Sequence, residues 1–204
     1  MKPVFRNFLT LGAIASVIGV AAILSPRTKT FNGHKGILPI AMSEHWTVAS
    51  VADGDTITVN RGSETKKIRL CGIDAPEIKH GKQPGQPFGD EAREKLRSLV
   101  DLAKNEVIII PVESDRYGRT VAEVMASVSG EWGIEMSFQE EMLKSGSAYY
   151  YKQYASNCPN HDAFAKAQEL AMAQPASGIA SKAGVWGKPG LEKPWDYRRR
   201  QREN

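Results

Sequence analysis

From Trp46 to Val128 the chain alternates short β-branched runs with turn signals, and a single amphipathic helix pattern interrupts them. Trp46–Val51 alternates weakly, Thr56–Asn60 is β-branched and turns at Arg61-Gly62, and Lys67–Leu70 continues as a third run. Lys79–Pro87 is a Gly/Pro/Lys loop. Asp90–Ala103 then places Ala92, Leu96, Leu99, Val100 and Ala103 on one helical face. Val107–Val112 is strongly apolar, and Thr120–Val128 is closed by Ser129-Gly130. Ile134–Ser145 reads as a helix capped by Gly146, His161–Ala173 as an alanine-rich helix stopped near Pro175, and Ser181–Trp186 as a last turn. Met172–Ile179 looks like an insertion that interrupts the last helix. Five short strands with a helix after the third predict a small Greek-key barrel with helical cover, for which the OB-fold is the natural candidate. The expected class is α+β, mainly β, with about three covering helices and a hydrophobic helix in front of the barrel.

That front helix is Phe8–Leu24, an apolar run preceded by Lys2 and Arg6. Its 17 residues fall short of the roughly 20 of a membrane span. Small residues at Val20-Ala21-Ala22 offer a cleavage point, so a signal peptide and a membrane anchor are both open. Either way, export to or across a bacterial inner membrane is expected, on the periplasmic side or beyond. Residues 25–44 read as a linker, 45–190 as the folded domain and 191–204 as a basic tail. In that tail, Arg198-Arg199-Arg200 could touch phosphate or lipid headgroups, but a disordered segment is the expected meaning.

The pI of about 9.0 suggests a polyanionic partner at first sight. Its distribution weakens that inference. Residues 1–40 hold five basic residues and no acid, so the remainder carries 22 basic against 23 acidic residues. Binding to nucleic acid must then rest on local arginines and a bound cation. Cys71 and Cys158 show no zinc spacing. In an oxidising compartment they could pair, and two unpaired thiols are the alternative. The four histidines fit no ligand spacing and are expected in solvent.

The chemistry lies in two acidic clusters joined by an arginine: Asp53-Gly54-Asp55-Thr56, then Arg69, then Asp74-Ala75-Pro76-Glu77. A second arginine follows in Asp115-Arg116-Tyr117-Gly118-Arg119. Asp-Gly-Asp between two strands forces a tight turn, where glycine tolerates unusual backbone angles. Oxygen-only ligands suit Ca²⁺ or Mg²⁺ and not zinc. A cation with forked guanidinium groups can stabilise a five-coordinate phosphorus. A nearby carboxylate such as Glu77 can orient or deprotonate water. Taken singly, each motif is also an ordinary turn, and it is their joint order that points to phosphodiester cleavage.

In that order the chain resembles the staphylococcal nuclease (thermonuclease) family from about Trp46 to Trp186. The residues that carry the resemblance are Val51-Ala-Asp-Gly-Asp-Thr56, Ile68–Glu77, Phe88–Ala92, Asp115–Arg119, Leu143-Lys-Ser-Gly146 and Ala183–Gly187. The resemblance implies an enzyme that cleaves DNA and RNA with little sequence preference, using Ca²⁺ and leaving 3′-phosphate ends. It implies that Asp55 and Asp74 bind the metal, Glu77 acts on water, and Arg69 and Arg119 hold the phosphate. Tyr117 matches an aromatic beside the nucleotide, and Tyr151, within a register uncertain by one residue, one that stacks on a base. Asp53 is expected to build the turn. Ala75 replaces a threonine whose backbone carbonyl is the ligand, so the site should survive. A non-catalytic nucleic-acid- or protein-binding module of the same fold is the alternative. In length and layout the chain also resembles nuclease-like proteins encoded among rhizobial exopolysaccharide (succinoglycan) genes, which would imply an accessory role in polysaccharide production. No protein partner is inferable, and a monomer is expected.

Overall fold

The computed structural model describes residues 44–127, 135–173 and 184–203. The N-terminal apolar run, all but the last residue of the expected linker, the Ser129-Gly130 turn and most of the Met172–Ile179 segment lie outside the described residues. The first strands are β1 (Glu44–Val51), β2 (Thr56–Arg61), β3 (Glu64–Leu70) and the short β4 (Ile73–Asp74), followed by helix α1 (Gly89–Leu102). Strands β5 (Glu106–Ser114), β6 (Thr120–Ser127) and β7 (Glu135–Ser137) lead into α2 (Phe138–Lys144). Then come β8 (Tyr149–Tyr150), α3 (Lys152–Ala155), α4 (His161–Ala173), a 3₁₀ turn at Gly184–Trp186 and α5 (Pro194–Glu203). Among the described residues no helix is long and apolar enough to cross a membrane.

Strand order β3-β2-β1-β5-β6 is antiparallel throughout. A parallel pairing of β3 with β6, Ile68 opposite Thr120 and Leu70 opposite Ala122, closes it into a five-stranded barrel. This is the expected OB topology. Alternation with a period of two explains which side chains fill it. Ile57 and Val59, Ile68 and Leu70, Val107 and Ile109, and Ala122, Val124 and Ala126 are all buried. Ala92, Leu96, Leu99 and Val100 of α1 join the same core, as the helical spacing predicts. Buried Glu123 on β6 accepts from Asn160 N (2.7 Å) and Asn160 Nδ2 (2.6 Å), which ties the start of α4 to the barrel. Burial pushes the Glu123 carboxyl above its usual pKa, against those two hydrogen bonds.

Two of the expected elements differ from the structure. The sequence predicts a helix over 134–145, yet Glu135–Ser137 is a strand paired with β6. Ser137 then caps α2, its side chain accepting from Glu140 N at 3.3 Å; a serine that offers its oxygen this way sets the helix start. The basic tail, expected to be disordered, forms α5. Pro194 suits a first helical turn, Arg199 pairs with Asp196 at 2.8 Å, and buried Tyr197 docks the helix by donating to the Pro84 carbonyl.

Cys71, between β3 and β4, forms a disulfide with Cys158, between α3 and α4. Gly72 follows at φ +72°, and a Cβ there would lie 3.0 Å from the Cys158 sulfur. The glycine of the Asp-Gly-Asp turn plays a different part from the one its sequence suggests. Gly54 is not among the positive-φ glycines. A Cβ on it would come within 2.6 Å of Ala75 Cβ and 2.7 Å of Ala92 Cβ, so close packing is what requires it. Gly54→Ala is therefore expected to destabilise the protein by about 1–3 kcal/mol. A urea unfolding curve would check this, and an unchanged midpoint would contradict the packing argument.

Candidate active site

The site is assembled at the rim of the barrel, where β1 turns into β2 and β3 leaves for β4. Asp53 accepts from the backbone N–H of Asp55 at 3.0 Å, so it builds the turn as expected. The Asp55 carbonyl accepts from Leu70 N (2.8 Å), stitching the turn to the end of β3. The buried Asp55 carboxylate accepts from Ala75 N (2.8 Å) and from Thr56 Oγ1 (3.1 Å). Asp74 lies on β4, which pairs with β8, and is wholly buried. Arg69, in β3, reaches both carboxylates: one guanidinium nitrogen meets Asp55 and the other meets Asp74.

Arg119 approaches from the β5–β6 turn. Gly118 at φ +77° permits the bend. The Asp115 carboxylate holds the turn by accepting from the backbone N–H groups of Tyr117 and Arg119, both at 2.9 Å. Its other oxygen takes both Nε and Nη2 of Arg119 at 2.7 Å, two contacts on one oxygen that hold the guanidinium. Burial would raise the Asp115 pKa, but these bonds outweigh it and hold the carboxyl below its usual range. Arg119 Nη1 also reaches Thr56 Oγ1 at 3.5 Å, alongside Asp55. Tyr117 is exposed, with the Arg119 guanidinium 5.6 Å from its ring centroid.

Glu77 follows β4, its backbone held on both sides by Gln86: Glu77 N donates to Gln86 Oε1 (3.1 Å) and Gln86 N to the Glu77 carbonyl (2.7 Å). Its carboxylate takes Nη1 of Arg198 at 2.6 Å. The same guanidinium covers both oxygens of Asp74, at 3.0 and 2.7 Å. Burial alone would lower the Arg198 pKa, but the bonds and charges of Asp74 and then Glu77 outweigh it and push it up, so Arg198 stays charged. A cleft of about 270 Å³ opens beside these groups, lined by Glu77, His80, Tyr117, Tyr197, Arg198 and Arg202.

The structure thus gathers Asp55, Arg69, Asp74, Glu77 and Arg119 at one rim, with Tyr117 at its edge. Tyr151 lies beside β4, its N–H donating to the Gly72 carbonyl at 2.9 Å. One face of its ring is stacked on Trp195 of α5, with centroids 4.8 Å apart and planes 11° apart. Sequence reasoning missed the parts played by Asp115, Trp195 and Arg198. For Asp115 the signal was present in its own motif, two residues before Tyr117. For Arg198 nothing separated it from its exposed neighbour Arg199. His45 and His80 are exposed as expected, His161 is half-buried, and His34 lies outside the described residues.

Among the described residues no cluster of three His, Cys, Asp or Glu is gathered as a metal site. Two buried carboxylates nevertheless converge on one positive centre, the Arg69 guanidinium. All-oxygen donors around a shared positive charge fit a hard cation such as Ca²⁺ in charge and donor type. Arg69 and Arg198 stand on those oxygens.

The staphylococcal nuclease homologue family model matches residues 67–186. The chain is 32% identical over 154 residues to a micrococcal nuclease of Shigella flexneri, covering 74% of this chain and 79% of that protein. It is 33% identical over 159 residues to an uncharacterized endonuclease of Haemophilus influenzae, covering 77% and 74% respectively. A probable endonuclease of Candida tropicalis is 38% identical over 140 residues, 67% of this chain and 54% of that protein. The chain therefore spans most of the two bacterial relatives and about half of the fungal one.

Proposed function

We propose that this chain, which belongs to the staphylococcal nuclease family, is a calcium-dependent endonuclease that hydrolyses DNA and RNA with little sequence preference. Its family and the names of its relatives support a nuclease. The observation that carries the finer reading is the convergence of Asp55 and Asp74 on one positive centre with Arg119 alongside. Asp55 and Asp74 would hold a calcium ion, which when bound supplies positive charge at the scissile phosphate. Arg69 and Arg119 hold phosphoryl oxygens and take up charge as phosphorus becomes five-coordinate. Glu77 orients a water molecule and accepts its proton. Water attacks phosphorus, the bond to the 5′ oxygen breaks, that oxygen takes up a proton from solvent, and a 3′-phosphate and a 5′-hydroxyl remain. Tyr117, exposed over Arg119, lies where a nucleotide ring can stack.

Export is part of the same proposal, with the N-terminal apolar run as signal or anchor. The Cys71–Cys158 disulfide supports it, because such bonds persist in oxidising compartments. A plasmid and an RNA transcript incubated with the full-length chain test the chemistry. Both should be degraded with Ca²⁺ present, and excess chelator should suppress cleavage by at least a hundredfold. End-group analysis should find 3′-phosphates. Cleavage that persists in chelator would overturn the calcium reading.

A further inference from the structure

We propose that Arg198, delivered by α5, is an internal competitor for the cation at Asp74 and so limits how tightly that cation is held. The inference rests on the reading that Asp55 and Asp74 form the cation site. Asp74 is wholly buried, and each of its oxygens already accepts from a guanidinium. Arg69 takes Oδ1, and Arg198 takes both Oδ1 and Oδ2. A cation that uses an Asp74 oxygen must lie against one of these like-charged donors or displace it. Arg69 also bridges to Asp55 and so belongs to the frame of the site. Arg198 reaches in from outside the barrel.

The helix that carries Arg198 is firmly docked. Tyr197 and Pro194 are buried, and the Tyr197 hydroxyl donates to the Pro84 carbonyl. Gln86 Nε2 donates to the Glu192 carbonyl at 2.9 Å, and Arg200 makes a forked pair with Glu192 at 2.9 and 2.7 Å. The Arg198 guanidinium is therefore presented at the high effective concentration of a tethered ligand. A second observation points the same way. Trp195, three residues earlier and so on the same helical face, covers one face of Tyr151 by stacking. One helix thus occupies both a carboxylate pair and an aromatic ring of the candidate site. Electrostatics favours the pairing: a buried carboxylate left short of positive charge is costly. Once a divalent cation arrives, the second guanidinium becomes a like charge next to it.

Calorimetric titration of the full-length chain with Ca²⁺ alone tests this, comparing the unaltered protein with Arg198→Gln and Arg198→Lys. Arg198→Gln should bind Ca²⁺ at least tenfold more tightly, and Arg198→Lys, which keeps the charge but loses the fork, should fall between. In chelator Arg198→Gln should melt at a lower temperature, and Ca²⁺ should raise its melting temperature more than that of the unaltered chain. A residue that only braced the fold would move affinity the other way. Equal or weaker Ca²⁺ binding by both variants overturns the inference and leaves the calcium reading intact. Absence of Ca²⁺ binding in all three proteins overturns both. Should the glutamine variant fail to fold, the lysine variant decides by the same criterion.

Discussion

Glu77→Gln is expected to lower phosphodiester cleavage by about 10²–10⁴-fold, the range a positioned general base contributes. The substitution keeps the shape of the side chain and removes its capacity to take a proton. Its backbone stays anchored by Gln86 from both sides, so the loop should not move. The loss on the folded side is one charge-assisted contact with Arg198, while Asp74 keeps its own pairing with that arginine. Melting temperature should therefore shift by no more than a few degrees. Arg119→Ala is expected to cost about 10²–10³-fold, as for removal of one donor to a charge that develops in the transition state. Arg119→Lys should recover only a small part, because Asp115 holds two nitrogens of a planar guanidinium and a lysine has no plane to align. Single-turnover cleavage of a labelled oligonucleotide at saturating Ca²⁺ would measure both. Full activity in either Glu77→Gln or Arg119→Ala would sink the mechanism.

The barrel was legible because its signals are local. A period of two marks the inward residues of each strand, and the helical spacing of Ala92, Leu96 and Leu99 marks the face of α1. Closure was legible less directly, from the count and order of strands, since the β3–β6 pairing joins segments some 50 residues apart in sequence. The site residues emerged from the joint order of short motifs, each ambiguous when read alone. What stayed hidden depends on tertiary contact. Asp-Gly-Asp suggests a glycine chosen for its backbone, whereas Gly54 is needed because Ala75 and Ala92 crowd it. The Arg-rich end reads as solvated charge, since nothing in Arg198-Arg199-Arg200 distinguishes the residue that faces Asp74 from those that face water. Its helix is ordered by Tyr197 against Pro84 and Glu192 against Gln86, partners more than 100 residues away. The start of α2 is hidden because Glu135–Ser137 has no strand signature of its own and is extended only by pairing with β6.

Removing the disulfide by Cys71→Ala with Cys158→Ala is expected to destabilise the protein by about 2–5 kcal/mol. Its two cysteines are 87 residues apart in sequence, and in the chain-entropy account a ring of that size lies toward the upper end of the range. For a chain of this length, each kcal/mol moves the melting temperature by about 2–4 °C, so a fall of about 10 °C is expected. Alanine is the apt replacement because both cysteines are buried, where a serine hydroxyl would add a desolvation cost of its own. The unaltered chain in excess reductant should show the same fall, and equal melting temperatures with and without reductant would mean that the bond contributes nothing. The loss should reach the site by a short path. Cys71 opens the turn after β3, Gly72 packs on the Cys158 sulfur, and Asp74 follows two residues later on β4. Near the melting transition, cleavage should therefore fail a few degrees before global unfolding, as the Asp74 strand loosens from β8. Well below it, activity should stay near that of the unaltered chain, because Asp55, Arg69 and Arg119 are held by barrel strands and their turns and not by the bond itself.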